Sequence, residues 1–310
     1  MKRIALLLVC SIQVVLISQV FASSPIPKKV HRVLFLGNSI TYNGQYITDI
    51  EAWFVLHYPK QHIQFINVGL PSETVSGLSE PGHAGGKFPR PDLHERLARV
   101  LAQTKPDMIF ACYGMNDGIY MPFDTGRFQK FKEGILWLHG QLEAIGAKVV
   151  HVTPPVFDEV KGGHPGYSAV LDRYSQWLLR LKDSLKWNVA DVHFPMKAYL
   201  EDHRKENPAF FFAKDGVHPD SIGHFVMAKQ FLLYLGVKEI SNVSNFWDIY
   251  SKMPYGEQIY ALVAKRQSIM KDVWLTATGH KRPGMKTGMP LDEALAKYQE
   301  LELQIEKLNQ

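Results

Sequence analysis

Residues 33–41 read Val-Leu-Phe-Leu-Gly-Asn-Ser-Ile-Thr, an apolar run cut off by a glycine, a small polar residue and a serine. Such a run is a buried strand stopped at a tight turn. Its end sets Ser39 at the carboxyl edge of a sheet, where open α/β folds hold their ligands. A serine in that place serves equally well as the cap of a following helix. Four more runs have the same character: 62–68, 108–112, 148–152 and 189–192. Helical-period stretches separate them, and the alternation predicts a parallel five-stranded sheet with helices on both faces and right-handed crossovers.

The predicted helices cover 47–57, 92–103, 125–145, 168–185, 195–204 and 222–235. In the first, Ile47, Ile50, Trp53, Phe54 and His57 recur at near-helical spacing. The passage 76–91, polar and glycine-rich, belongs to neither element type. After Gly236 the strand–helix alternation stops. A helix over 255–274 and a last one opened by Pro290, with Leu291, Leu295, Tyr298, Leu301, Ile305 and Leu308 as its stripe, predict a helical hairpin. Its expected role is structural. The chain then divides into a sheet domain over 31–240 and a C-terminal helical extension over 241–310.

Ahead of the sheet domain, Lys2 and Arg3 precede an apolar stretch over 4–20, and Val20-Phe21-Ala22 then sets small residues at its exit. Residues 1–22 have the form of a cleaved signal peptide, with 23–30 as a linker, and this predicts export to a bacterial periplasm or exterior. Ser11, Gln13 and Ser18 interrupt the stretch, which disfavours a permanent anchor, so no stable membrane insertion is expected. The formal charge is +5, and losing Lys2 and Arg3 with the leader brings it to +3, too mild a balance for nucleic-acid binding. Cys112 is then the one cysteine left, which rules out an internal disulfide or a cysteine metal cluster.

Ser39, Gly69, Asn116 and His218 each follow a predicted strand or precede a predicted helix. In a parallel sheet such positions share one edge and can converge. The chemistry asks for these residue types. A serine hydroxyl is a poor nucleophile until a base takes its proton, and His218 is the natural base. Asp215, three residues earlier, can orient the imidazole. Attack on an ester builds charge on the carbonyl oxygen, and the backbone N–H groups of Ser39 and Gly69 with the Asn116 amide can form the oxyanion hole.

In these blocks the chain resembles the SGNH (GDSL-type) hydrolases, named for a serine, glycine, asparagine and histidine in four blocks. Gly37-Asn38-Ser39 is similar to the first, Asn67-Val68-Gly69 to the second, Gly114-Met115-Asn116-Asp117 to the third and Asp215-Gly216-Val217-His218 to the last. The resemblance spans about 31–235. It implies a flavodoxin-like three-layer α/β/α sandwich and ester or acyl-transfer chemistry with no cofactor and no metal. Asn38 departs from the family's usual aspartate, keeping the hydrogen-bond acceptor and losing the charge.

The expected function is an exported serine esterase acting on short acyl, chiefly acetyl, esters of small molecules or glycans. Lipase, thioesterase or acyltransferase chemistry by the same machinery is the nearest alternative. A non-catalytic glycan-binding protein on a hydrolase scaffold is another. His83, His94, His164 and His193 are expected in structural roles, as is the Asp191/His193 pair, which lacks a third metal ligand. Asp117 is expected to brace the Asn116 turn. Trp53, Tyr113, Tyr120 and Phe123 fit either a sugar platform or the core.

Overall fold

The computed structural model describes residues 24–310. The expected signal peptide and the first linker residue lie outside the described residues. The five strands are β1 (Arg32–Gly37), β2 (Gln64–Asn67), β3 (Met108–Cys112), β4 (Lys148–Val152) and β5 (Val189–Ala190). They pair in the order β2-β1-β3-β4-β5, all parallel. That is the flavodoxin-like order, and helices flank both faces.

In chain order the helices are α1 (Ser39–Asn43), α2 (Gln45–His57), α3 (Leu97–Thr104), α4 (Thr125–Ala144), α5 (Glu159–Gly162), α6 (Tyr167–Ser184), α7 (His193–Glu206) and α8 (Ser221–Tyr234). After them come α9 (Trp247–Tyr250), α10 (Gly256–Thr278) and α11 (Leu291–Leu308). The short α1, α5 and α9 carry too few residues to show a helical period in the sequence. The predicted helix over 92–103 begins late: Leu93–Glu95 is a 3-10 turn, with Asp92 accepting from His94 N–H.

The sheet is apolar because its inner strands are covered on both sides. Every residue of β3 is buried, and so are Val33 to Gly37 of β1. Phe35 stacks on Phe65 and Phe110, and Phe231 of α8 closes over the group beside Tyr46 of α2. Elsewhere, Phe131 of α4 stacks on Tyr174 of α6 at 4.3 Å. The predicted hairpin is formed by α10 and α11, and α10 packs along α2 and β2.

The strand order reverses direction at β1, whose two neighbours are β2 and β3. A crevice opens outside the carboxyl ends of the strands at such a switch point. Ser39 follows β1 and Asn116 follows β3, so the fold brings these two loops to that crevice.

Candidate active site

Ser39 is the first residue of α1. Asn38 precedes it as the N-cap, its Oδ1 accepting from the Ile40 N–H at 3.2 Å. Capping needs an acceptor and no charge, which explains how asparagine serves here. The Ser39 N–H donates to no group among the described residues, as expected of a helix's first amide.

The hydroxyl of Ser39 donates to His218 Nε2 at 2.7 Å. On the far side of the ring, His218 Nδ1–H donates to Asp215 Oδ2 at 2.6 Å. That contact sets the tautomer and turns the free nitrogen toward the serine. The other Asp215 oxygen accepts the backbone N–H groups of Val217 and His218, at 3.0 and 2.8 Å. Partial burial works to raise the Asp215 carboxyl. The hydrogen bonds from the His218 ring and from these two amides overcome it and hold the carboxyl below its ordinary range.

Gly216 makes this Asp-x-x-His turn possible. Its φ is +76°, and an added Cβ would sit 2.4 Å from Gly162 N. Asp158 N–H donates to the Gly216 carbonyl, and Asp158 is itself paired with Arg204 at 2.6 Å. The Asp215–His218 turn is thereby tied to α5 and α7.

Asn116 is buried. Its Nδ2 donates to the Glu73 carbonyl at 3.1 Å, and its Oδ1 accepts the Tyr120 hydroxyl at 3.2 Å. One amide hydrogen is left for a ligand. Asp117 accepts the backbone N–H groups of Val75, Ser76 and Gly114, each at 2.9 Å, and so locks the Asn116 turn to the loop after β2. Burial nevertheless pushes its carboxyl above the ordinary range.

Gly69 sits differently from the sequence expectation. Its N–H donates to Asn67 Oδ1 at 2.9 Å, and an added Cβ would meet Tyr42 N at 2.3 Å. Gly69 is therefore a close-packing glycine beneath α1, with its amide already engaged. Directly after it, Leu70 to Glu73 form a turn closed by Glu73 N–H to Leu70 O at 3.1 Å. Pro71 and Ser72 are its central residues, and Ser72 has φ +70°. This is a type II turn, which turns its central N–H away from its own hydrogen bond. The Ser72 N–H finds no acceptor among the described residues. Sequence alone does not single out Ser72; the signal for its turn is the Pro71-Ser72 pair in the loop after β2.

Below this turn lies a fully buried ion pair. Arg96 holds Glu73 through both carboxylate oxygens, at 2.6 and 2.8 Å, and the Tyr113 hydroxyl donates to Glu73 at 2.7 Å. Burial opposes the charge on Arg96, but the Glu73 carboxylate more than offsets it and raises the guanidinium above its ordinary range.

The remaining candidates fall into structural roles. His193 is buried between Asp172 and the Pro154 carbonyl, and Asp191 accepts from Thr153. His94 stacks on Trp137, and His83 contacts Glu80. His164 lies against the Tyr120 ring, one contact from Asn116. Trp53 and Tyr113 belong to the core, while Phe123 lies under Arg173. Cys112 is buried, and burial pushes its thiol up to about 12, which keeps it protonated at neutral pH.

The family model for the GDSL-like lipase/acylhydrolase family matches residues 35–225, more than half of the chain. No curated protein matches it. Among solved structures the chain is similar to a gut microbial diltiazem-metabolizing enzyme, at 22% identity and a TM-score of 0.55. That match covers 69% of this chain and 49% of the other, so the chain spans about half of that enzyme's length. It is also similar to Axe2, an acetylxylan esterase from Geobacillus stearothermophilus, at 20% identity and a TM-score of 0.53, covering 69% of this chain and 97% of that one. LAE5, an alpha/beta hydrolase enzyme from the metagenome of Lake Arreo, Spain, matches at 21% identity and a TM-score of 0.52, covering 66% and 95%. At these identities the likeness speaks for the fold, and the family match speaks for the chemistry: the chain belongs to the GDSL-like lipase/acylhydrolase family and is an SGNH-type ester hydrolase.

Proposed function

We propose that the protein is an exported serine esterase that removes short acyl groups, acetyl foremost, from carbohydrates. The observation that carries the mechanism is the unbroken chain from Ser39 through His218 to Asp215, at 2.7 and 2.6 Å. Ser39 Oγ attacks the acyl carbonyl as His218 Nε2 takes its proton. The imidazolium that forms is stabilised by Asp215 and returns the proton to the leaving alcohol. Water, deprotonated by the same nitrogen, then releases the acid and frees Ser39.

The tetrahedral oxyanion is held by the Ser39 N–H, the free Asn116 amide hydrogen and a second backbone donor. Ser72 N–H, unengaged and turned out of its type II turn, suits that last role better than Gly69 N–H, which Asn67 holds. The carbohydrate reading is supported by the exposure of the catalytic pair. The side chains of His218 and Asp215 are 47% and 56% exposed, an open site that a branched or polymeric ester can reach. Axe2, a similar fold, is an acetylxylan esterase. Export rests on the leader at 1–22, and intact mass of the mature protein beginning near residue 23 would support it.

The test is acetate release from acetylated xylo-oligosaccharides, run beside an octanoyl ester and with fluorophosphonate labelling. Acetyl turnover well above octanoyl turnover, with Ser39 labelled and Ser39→Ala inert, is expected. Faster octanoyl turnover would replace this reading with a lipase. An unlabelled Ser39 with no acetate released would make the protein a binding module.

A further inference from the structure

A second cluster of chemistry-bearing side chains lies where α11 meets the entry to β2. Glu302 and Glu306 stand one turn apart on α11 and present carboxylates to one spot. His62, two residues ahead of β2, points Nδ1 at both, 3.1 Å from Glu302 Oε1 and 3.5 Å from Glu306 Oε1. One ligand atom from each of the three lies within 4.8 Å of the others. A single imidazole N–H satisfies one carboxylate well. The second glutamate repeats the first one's charge a turn away, an arrangement that costs helix stability unless a cation sits between them.

The spacing suits a metal ion. Ligand atoms about 2.0–2.1 Å from a tetrahedral ion lie roughly 3.3–3.4 Å apart, close to the two contacts His62 makes. One imidazole nitrogen and two carboxylates are a borderline donor set suited to zinc, with a fourth position left for water. Gln61 lines the same cleft, its Nε2 donating to the Ile26 carbonyl at 3.0 Å. Arg266, also on the cleft wall, is already neutralised by Glu51 at 2.6 Å.

We propose that His62, Glu302 and Glu306 bind a divalent transition-metal ion, zinc foremost, which clamps the C-terminal helix to the sheet. His62 and Glu302 are 240 residues apart in the chain, so the ion closes a long loop. The site stands at the amino end of β2, whereas Ser39 follows the carboxyl end of the parallel strand β1. The ion is structural, and the ester chemistry proceeds without it.

The test uses the full chain stripped with a chelator. Calorimetric titration with zinc is expected to show one saturable site, zinc to raise the melting temperature, and cobalt to give visible absorption bands. Magnesium and calcium at the same concentration, preferring all-oxygen shells, leave the melting temperature unchanged. His62→Ala and the half-exposed Glu306→Gln each weaken zinc binding by about tenfold or more. Acetate release stays the same with and without zinc, so this result and the esterase result stand or fall separately. Absence of stoichiometric zinc binding by the parent overturns the site. Equal binding by parent and Glu306→Gln does so too, since it would place the ion on other histidines, and this variant decides the matter if His62→Ala fails to fold.

Discussion

Asp215 is linked to Ser39 only through His218, and its two oxygens divide the contacts: one accepts the ring N–H, the other two backbone amides. Asp215→Asn keeps the shape and offers the ring a donor where it needs an acceptor, so kcat should fall about 10^4-fold with the fold intact by circular dichroism. A fall of tenfold or less would show that His218 is oriented by something else. Asn116→Ala removes the side-chain donor proposed for the oxyanion and should lower kcat by about 10²–10³-fold. Substitution at the two candidates for the second backbone donor leaves each N–H in place and reads the packing and backbone conformation around it. Gly69→Ala drives a Cβ to 2.3 Å from Tyr42 N of α1, so it should destabilise by about 1–3 kcal/mol in urea unfolding. Ser72→Gly relieves a left-handed φ at a backbone donor and should leave kcat unchanged while adding about 0.5–1 kcal/mol of stability. A hundredfold loss in Ser72→Gly would mean that the hydroxyl itself takes part.

Among the elements, α10 has the most influence that its own sequence does not announce. Glu51 lies on α2, outside the set Ile47, Ile50, Trp53, Phe54 and His57 that marks the helix's apolar spacing. It is fully buried, because α10 covers it and supplies Arg266 at 2.6 Å and Gln267 at 2.6 Å. Arg266 lies in turn against the Tyr298 ring of α11, its charge 4.5 Å from the centroid. Removing one partner strands the other's charge in the interior, so Glu51→Ala should cost about 3–5 kcal/mol in urea unfolding. The double variant Glu51→Leu with Arg266→Met should recover most of that loss, and recovery of none would assign the cost to packing. The extension also reaches α1, which begins at Ser39. The Tyr42 hydroxyl of α1 donates to Asp272 of α10 at 2.7 Å, and Lys271 sits 4.6 Å from the Tyr42 ring centroid. Burial, then the Asp272 hydrogen bond, push the Tyr42 phenol up to about 12, so this tether persists across the neutral range.

For the whole molecule, acid is the condition that its buried histidines oppose. Burial lowers His151 to about 3 and His224 to about 4, with a neighbouring histidine adding to each shift. Both folded values lie below the unfolded value near 6.5, so the unfolded chain binds more protons as pH falls and stability declines with it. The loss begins near pH 6.5 and reaches about 2 kcal/mol per histidine by pH 5. Urea midpoints measured from pH 7 to pH 5 should fall accordingly, and His224→Phe should flatten the slope; a pH-independent midpoint in the parent would mean the two rings are solvated. By itself the sequence determined the five strands, their alternation with helices and three well-separated blocks carrying Ser39, Asn116 and the Asp215–His218 pair. Those are local properties: apolar runs, caps and turn residues act over a few positions. Only the tertiary structure decided that Gly69 packs while Ser72 presents its amide, that Glu51 is buried, and that His62 meets Glu302 and Glu306. Each of these depends on which chain segment covers another, and no periodicity within one segment encodes what a segment some 200 residues away will place over it.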